Sequence, residues 1–207
     1  MRSLIYNDRR PEGLQITFNP PFSQFRKYIA TLIEHDKKFI IIGNQNAIKY
    51  KEIFPLFVTN NIWLGYGFKR NCAHFISPYE DTASDLDHKE GMIRVSGVMW
   101  FTNLDIKKRH EEIILVNKYS KEKYPKHDNY DAIEVSKSKD IPCDYAGVMA
   151  VPITFMDKFC PEQFELIGEM NHGCDNKYDL AKPMVNGEEK YCRILIRNKH
   201  PEPSREV

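Results

Sequence analysis

The stretch LQITFNPPFSQFRKYIATLIEHDKKFIIIG, residues 14–43, decides the fold. Leu14 to Phe18 alternates apolar and polar side chains, the period of a strand, and stops at Asn19-Pro20-Pro21. Each proline fixes its own φ and turns the preceding residue away from helix, so a rigid loop is expected there. From Ser23 the period changes. Phe25, Tyr28, Ile29, Leu32 and Ile33 fall on one helical stripe that Glu34, Asp36, Lys37 and Lys38 close. Phe39 to Gly43 is a continuous apolar run, the pattern of a strand buried on both faces of a parallel sheet. Strand, helix, strand over so short a stretch is a βαβ unit, and the chain is expected to be α/β.

Working outward, a second helix is expected at about 47–57 and a short strand at 61–64. Residues 92–104 read as β structure, a hairpin bending at Ser96-Gly97, and 112–116 as a further strand. Residues 117–144 are polar, rich in Lys and Tyr, and weakly periodic. Short strands are expected near 148–155, 164–167 and 191–196, and the tail from His200 should fray. The expected division is a catalytic part at 14–116 and a β-rich target-recognition region at 117–207.

The 207 residues are 42% hydrophobic and 29% charged, an ordinary globular balance that supports a real core. A net charge of +1 excludes a polybasic nucleic-acid binder, so any nucleic-acid contact must be a local patch. The five cysteines are scattered, with no C-x-x-C pair, which points to a reducing cytoplasm. No apolar run is long enough for a bilayer, and no membrane association is expected.

Asn19-Pro20-Pro21-Phe22 stands at the carboxyl end of the first strand, where open α/β sheets place ligands. Its chemistry suits methylation of a nitrogen conjugated to a planar ring or amide. Such a nitrogen is a poor nucleophile because its lone pair is delocalised. Two acceptors, the Asn19 side-chain oxygen and the Pro20 carbonyl, can hold both N–H bonds and favour a pyramidal nitrogen. The Pro20-Pro21 step fixes that carbonyl in advance. Phe22 offers a face on which an extruded base can stack. As a bare tetrapeptide the same residues also fit a simple strand-to-helix turn, or a methyltransferase acting on RNA or a protein glutamine.

Longer strings carry a resemblance. NPPFSQFRKYIATLIEHDKKFIIIGNQNAIKYKEIFPL, EGMIRVSGVMWFTNLD, RHEE, YPKHDNYDAIEV, DIPCDYAGVMAVPITFMDKF, PEQFELIG and KYCRILIRNK together resemble the EcoRI-type adenine-specific DNA modification methylases. The likeness runs from about Phe18 to Lys199. It implies a partial Rossmann-like methyltransferase sheet and a restriction-modification enzyme moving a methyl from S-adenosylmethionine to adenine N6 in double-stranded DNA. Asn19, Pro20, Pro21 and Phe22 take the catalytic-loop positions. Family members carry a glycine-rich donor loop ahead of these residues. Here eighteen residues precede Asn19, with Gly13 their one glycine. The donor half is thus expected from a separate chain or a missing segment, and a non-catalytic DNA-binding remnant is the alternative.

The densest basic region, Lys107, Lys108 and Arg109 with Lys118 and Lys123, is the expected phosphate-contacting surface, interleaved with Tyr119, Tyr124 and Tyr130. Asn103 and Asn129 are candidates for reading adenine edges. Gly65-Tyr66-Gly67-Phe68 lacks the third glycine of a dinucleotide fingerprint and reads as a loop leaving a strand. His110-Glu111-Glu112 has Ile114 where a zincin needs histidine, and Cys160, His172 and Cys174 lack metal-site spacing, so no metal is expected. Trp63 and Trp100 are expected in the core.

Overall fold

The computed structural model describes residues 15–18, 20–68, 72–78, 89–170 and 182–203. The first βαβ unit forms as its pattern demands. β1 (Gln15–Phe18) pairs in parallel with β2 (Lys38–Asn44), and α1 (Phe25–Glu34) makes the crossover. Helix α1 buries Phe25, Ile29 and Leu32. It ends in a Schellman turn: Lys37 N–H donates to the Leu32 carbonyl and Asp36 N–H to the Ile33 carbonyl. Asp36 supplies the left-handed residue at φ 46°.

The expected second helix is divided. Pro55 has no N–H to give and its ring would strike the carbonyl one turn back, so it cannot lie inside a helix over 47–57. The chain instead forms a 3-10 turn at Gln45–Lys49, which the Asn44 side chain caps by accepting from Asn46 N–H. Helix α2 (Phe54–Val58) then begins with Pro55 in its first turn, where the missing donor costs nothing.

The short strand β3 (Trp63–Leu64) and β6 (Val98–Thr102) complete a four-stranded mixed sheet of order β1-β2-β6-β3. β6 runs antiparallel to both β2 and β3, so β1, β2 and β3 share one direction and their carboxyl ends lie along one edge. The bend at Ser96-Gly97 is present, with Gly97 at φ 66°, but residues 92–104 are not a hairpin. β5 (Met92–Ser96) pairs with β4 (Cys72–Ile76), while β6 enters the first sheet. Burial explains the parting. Val98, Met99 and Phe101 are fully buried, whereas β5 is only half-buried.

The second sheet has the order β7-β8-β12-β9, from β7 (Ile133–Glu134), β8 (Met149–Pro152), β9 (Phe164–Met170) and β12 (Arg193–Asn198). A small hairpin, β10 (Met184–Val185) with β11 (Glu188–Glu189), stands beside it. The expected strand at 112–116 is extended but joins no ladder. The amide of Gln163 takes the place of a neighbouring strand, accepting from Ile113 N–H and donating to the Ile113 carbonyl, each at 2.8 Å. Ile113 and Leu115 pack inward, while Ile114 and Val116 are 86% and 75% exposed.

One core joins the two sheets. It runs from Phe25, Phe39, Ile41, Phe57 and Phe101 to Met149, Val151, Phe164, Ile194 and Ile196. Ile42, Val98 and Trp100 face the other way and are covered by Phe68, Ala73, Phe75 and Val95. Both faces of β2 are therefore buried, which is why its sequence is continuously apolar. Gly43 suits the close approach there, since any side chain would crowd two rings. A Cβ on it would lie 2.5 Å from the Phe25 ring and 2.8 Å from Phe101, whose rings meet edge-on at 4.9 Å.

Candidate target-base site at the sheet edge

The loop after β1 is short and stiff. Pro20 is buried, Pro21 is exposed, and Phe22 opens the 3-10 turn Phe22–Gln24 that leads into α1. Gln24 N–H donates to the Pro21 carbonyl at 2.8 Å, fixing the turn. No described residue donates to the Pro20 carbonyl. Phe22 is 38% exposed, and Phe25, one turn on, is locked under Gly43. The loop is thus held from below by the core, with an aromatic ring at its surface. Asn19 lies outside the described residues, as do His172 and Cys174.

The carboxyl edge also carries the ends of β2 and β3. Gln45 N–H donates to the Gly97 carbonyl at 2.6 Å, and Ala47 and Ile48 are buried, so the 3-10 turn after β2 is pinned to the edge. Lys49 at its end lies 5.1 Å above the Tyr191 ring, with Nζ 3.3 Å from the phenol oxygen. That hydroxyl donates to the Asn46 Oδ1 at 3.3 Å. At β3, Gly65 N–H extends the ladder to the Trp100 carbonyl, and Tyr66 stands exposed beyond it. Phe68 folds back to stack on Trp100 at 5.6 Å.

The expected basic surface is distributed among intramolecular contacts. Lys107 to His110 form a short 3-10 turn, with Lys107 exposed. Lys108 Nζ is 2.6 Å from Asp157 and 2.7 Å from the Gly65 carbonyl. The Arg109 guanidinium lies 3.8 Å over the half-buried Trp63 ring and donates to Asn60. Lys118 pairs with Glu202, and Lys123 donates to Asn117 and lies over Tyr124. Tyr119, Tyr124 and Tyr145 form one aromatic group at the core rather than a stacking platform. Asn103 accepts from Phe39 N–H and donates to the Lys37 carbonyl, and Asn129 likewise spans Lys182 and Met184, so both amides are spent on backbone.

His110 is held between Asp105, 2.7 Å from Nε2, and Glu162, 2.9 Å from Nδ1. These two hydrogen bonds raise its pKa above the ordinary 6.5. A deeper group had no sequence signal. Arg193 forks onto Glu134 with contacts of 2.7 and 3.0 Å, and His127 Nε2 lies 3.0 Å from the same carboxylate. Burial pushes Glu134 up, but His127 and Arg193 outweigh it and hold the carboxyl below its ordinary 4.5. Glu134 and Arg193 stand 59 residues apart, beyond the reach of any spacing rule.

A family model described as adenine-specific methyltransferase EcoRI matches residues 14–199. Among curated proteins, the type II methyltransferase M.EcoRI of Escherichia coli is 50% identical over 191 residues, 89% of this chain and 57% of that protein. M.MpnI of Mycoplasma pneumoniae is 38% identical over 205 residues, covering 89% and 64%. M.MgeORF184P of Mycoplasma genitalium is 34% identical over 204 residues, covering 88% and 63%. The chain therefore spans between 57% and 64% of the length of these relatives. No solved structure matches it significantly.

Proposed function

The chain belongs to the EcoRI family of adenine-specific methyltransferases, and on that footing we propose that it supplies the target-base half of a site-specific DNA adenine-N6 methyltransferase. The observation that carries this is the stiff Pro20–Phe22 loop at the shared carboxyl edge of β1, β2 and β3. We read the first sheet as part of a Rossmann-like methyltransferase sheet, with β6 as its antiparallel member. Residues 117–207 are read as the target-recognition region.

In this scheme the target adenine leaves the duplex and stacks on Phe22. The Asn19 side-chain oxygen and the Pro20 carbonyl accept its two N6 hydrogens. Holding both N–H bonds turns the nitrogen lone pair out of conjugation and towards the electrophile, and the acceptors need no reorganisation as charge develops. The methylated nitrogen is strongly acidic, so its proton can leave to solvent without a dedicated base. S-adenosylmethionine, the donor class the family implies, supplies an activated methyl group. The described residues at this edge offer an acceptor and an aromatic face, which fit a base. None of their glycines forms a glycine-rich strand-to-helix loop of the kind that cradles such a donor, so no donor contact is assigned to them. A separate chain or segment supplying that half is part of the proposal.

The test uses radiolabelled donor and adenine-containing duplex DNA, with and without an added donor-binding half, followed by nucleoside analysis. The expected product is N6-methyladenine, lost in Asn19→Ala. Transfer that survives Asn19→Ala would sink the catalytic assignment. Label recovered in RNA or in protein glutamine would replace DNA as the substrate. DNA binding without transfer, even with the added half, would favour a non-catalytic DNA-binding role.

A further inference from the structure

The asparagines expected to read adenine edges, Asn103 and Asn129, spend their amides on backbone. The side chains of Asn44, Asn46, Asn60, Asn61, Asn117 and Asn198 are likewise engaged. Among the described asparagines, Asn186 alone has a side-chain amide with no partner in the chain, and it is exposed. It stands at the tip of the β10–β11 hairpin, whose two-residue turn is Asn186-Gly187.

The tip is built rigidly. Asn186 and Gly187 both have positive φ, 52° and 75°, as a tight two-residue hairpin turn requires. The Asp128 carboxylate accepts from both turn amides, Asn186 N–H at 3.2 Å and Gly187 N–H at 2.8 Å. Asp128 N–H donates to the Met184 carbonyl, and the Asn129 amide holds the backbone of Lys182 and Met184. Val185 is buried beneath the turn. Two neighbouring residues of another segment thus immobilise a small surface hairpin that carries an unused amide at its end.

The surroundings decide what that amide can meet. Glu188 pairs with Lys190 and Glu189 with Lys182, so the ribbon carries no excess of one charge. Beside the tip lies a cleft of about 370 Å³, lined by Asn186 and Glu188 of the hairpin and by Lys123, Ser136 and Asp140. The two carboxylates disfavour a phosphate there and leave an uncharged base edge as the fitting partner. A two-stranded ribbon fits the major groove, and an asparagine amide matches adenine by donating to N7 and accepting from N6. Resting on the proposed DNA-directed function, in which residues 117–207 read the target, we infer that Asn186 reads one adenine of the recognition sequence from the major groove. Asp128 and Asn129 are positioning residues that hold the hairpin ready. The adenine they serve stays paired in the duplex, distinct from the one that stacks on Phe22.

The test is selection from a pool of duplexes with a randomised central segment, bound by the whole chain and then sequenced. Wild type should enrich a motif. Asn186→Gly removes the amide while keeping a residue that suits positive φ. Its preference at one A·T pair of the motif should fall roughly five- to 150-fold, with the other positions kept. Asn186→Asp offers acceptors only, so the preference at that pair should move towards C·G. Both variants should melt with wild type. An unchanged motif in both variants overturns the site while leaving the proposed function standing. A uniform loss across the motif also overturns it and makes Asn186 a residue of the fold. A wild-type chain that enriches no sequence removes the recognition reading, and the inference with it.

Discussion

Phe22 and Phe25 are one helical turn apart and have opposite tasks, the first open to solvent and the second locked in the core. In the proposed scheme Phe22→Ala removes a base-stacking face worth about 1–3 kcal/mol, so kcat/KM for methyl transfer, assayed with the donor-binding half added, should fall roughly five- to 150-fold. Its melting temperature should hardly move, and Phe22→Tyr should recover the activity. A large loss of stability with unchanged kcat/KM would make Phe22 a packing residue. Gly43→Ala should do the reverse. The added methyl meets two rings, so urea unfolding should show a loss of about 1–3 kcal/mol. An undiminished urea midpoint would show that the Phe25 ring gives way. At this scale the sequence was most legible where covalent geometry speaks, in Pro20 and Pro21. Asn103 and Asn129 looked equally suited to a base edge. Nothing local reveals that their amides complete backbone pairing with Phe39, Lys37, Lys182 and Met184.

Elements followed the sequence wherever burial alone set the pattern: one apolar stripe in α1 and a continuous apolar run, buried on both faces, in β2. The second helix failed at Pro55, a signal present in the chain and outweighed by the apolar pattern around it. Residues 112–116 have strand alternation, but their partner is a side chain, Gln163, which no pairing pattern can announce. Two charged groups hold elements together and respond to pH in opposite senses. His110 joins the turn at Lys107–His110 to the segment before β9, and its pKa is raised in the folded state. Its contribution is therefore full below the unfolded value near 6.5 and fades as pH rises through the raised value. The stability difference between wild type and His110→Ala should shrink across that window, and a constant difference there would refute the clamp. Glu134 is depressed, so its contribution is present above about 4.5 and lost as pH falls through the folded value. Glu134→Ala leaves Arg193 without its counter-charge and His127 Nε2 without its hydrogen-bond partner in a buried site. It should cost about 3–5 kcal/mol in chemical unfolding. A loss within experimental error would show that water takes over the role of the carboxylate.

Across the whole molecule, the expected boundary near residue 116 divides the sequence but not the core, which contains Phe57 and Ile48 on one side and Phe164 and Ile194 on the other. Shared burial of this kind couples the regions, and unfolding should be a single transition. Both tryptophans, Trp63 and Trp100, lie in the first region, so their fluorescence reports that region alone. Fluorescence and far-ultraviolet circular dichroism should melt together. A separate dichroism step without a fluorescence change would mean that the second region unfolds by itself. At this scale composition announced a chain able to bury a real core, while the path from β5 to a separate hairpin had to be decided by burial. On the proposed division of roles, in which residues 117–207 read the target, the common core also limits how the target sequence can change. The second region cannot be exchanged as a cassette, because a foreign one would arrive without the side chains that Phe57 and Ile48 pack against. Change of specificity is left to substitutions on exposed loops, made one at a time over an interior that stays fixed.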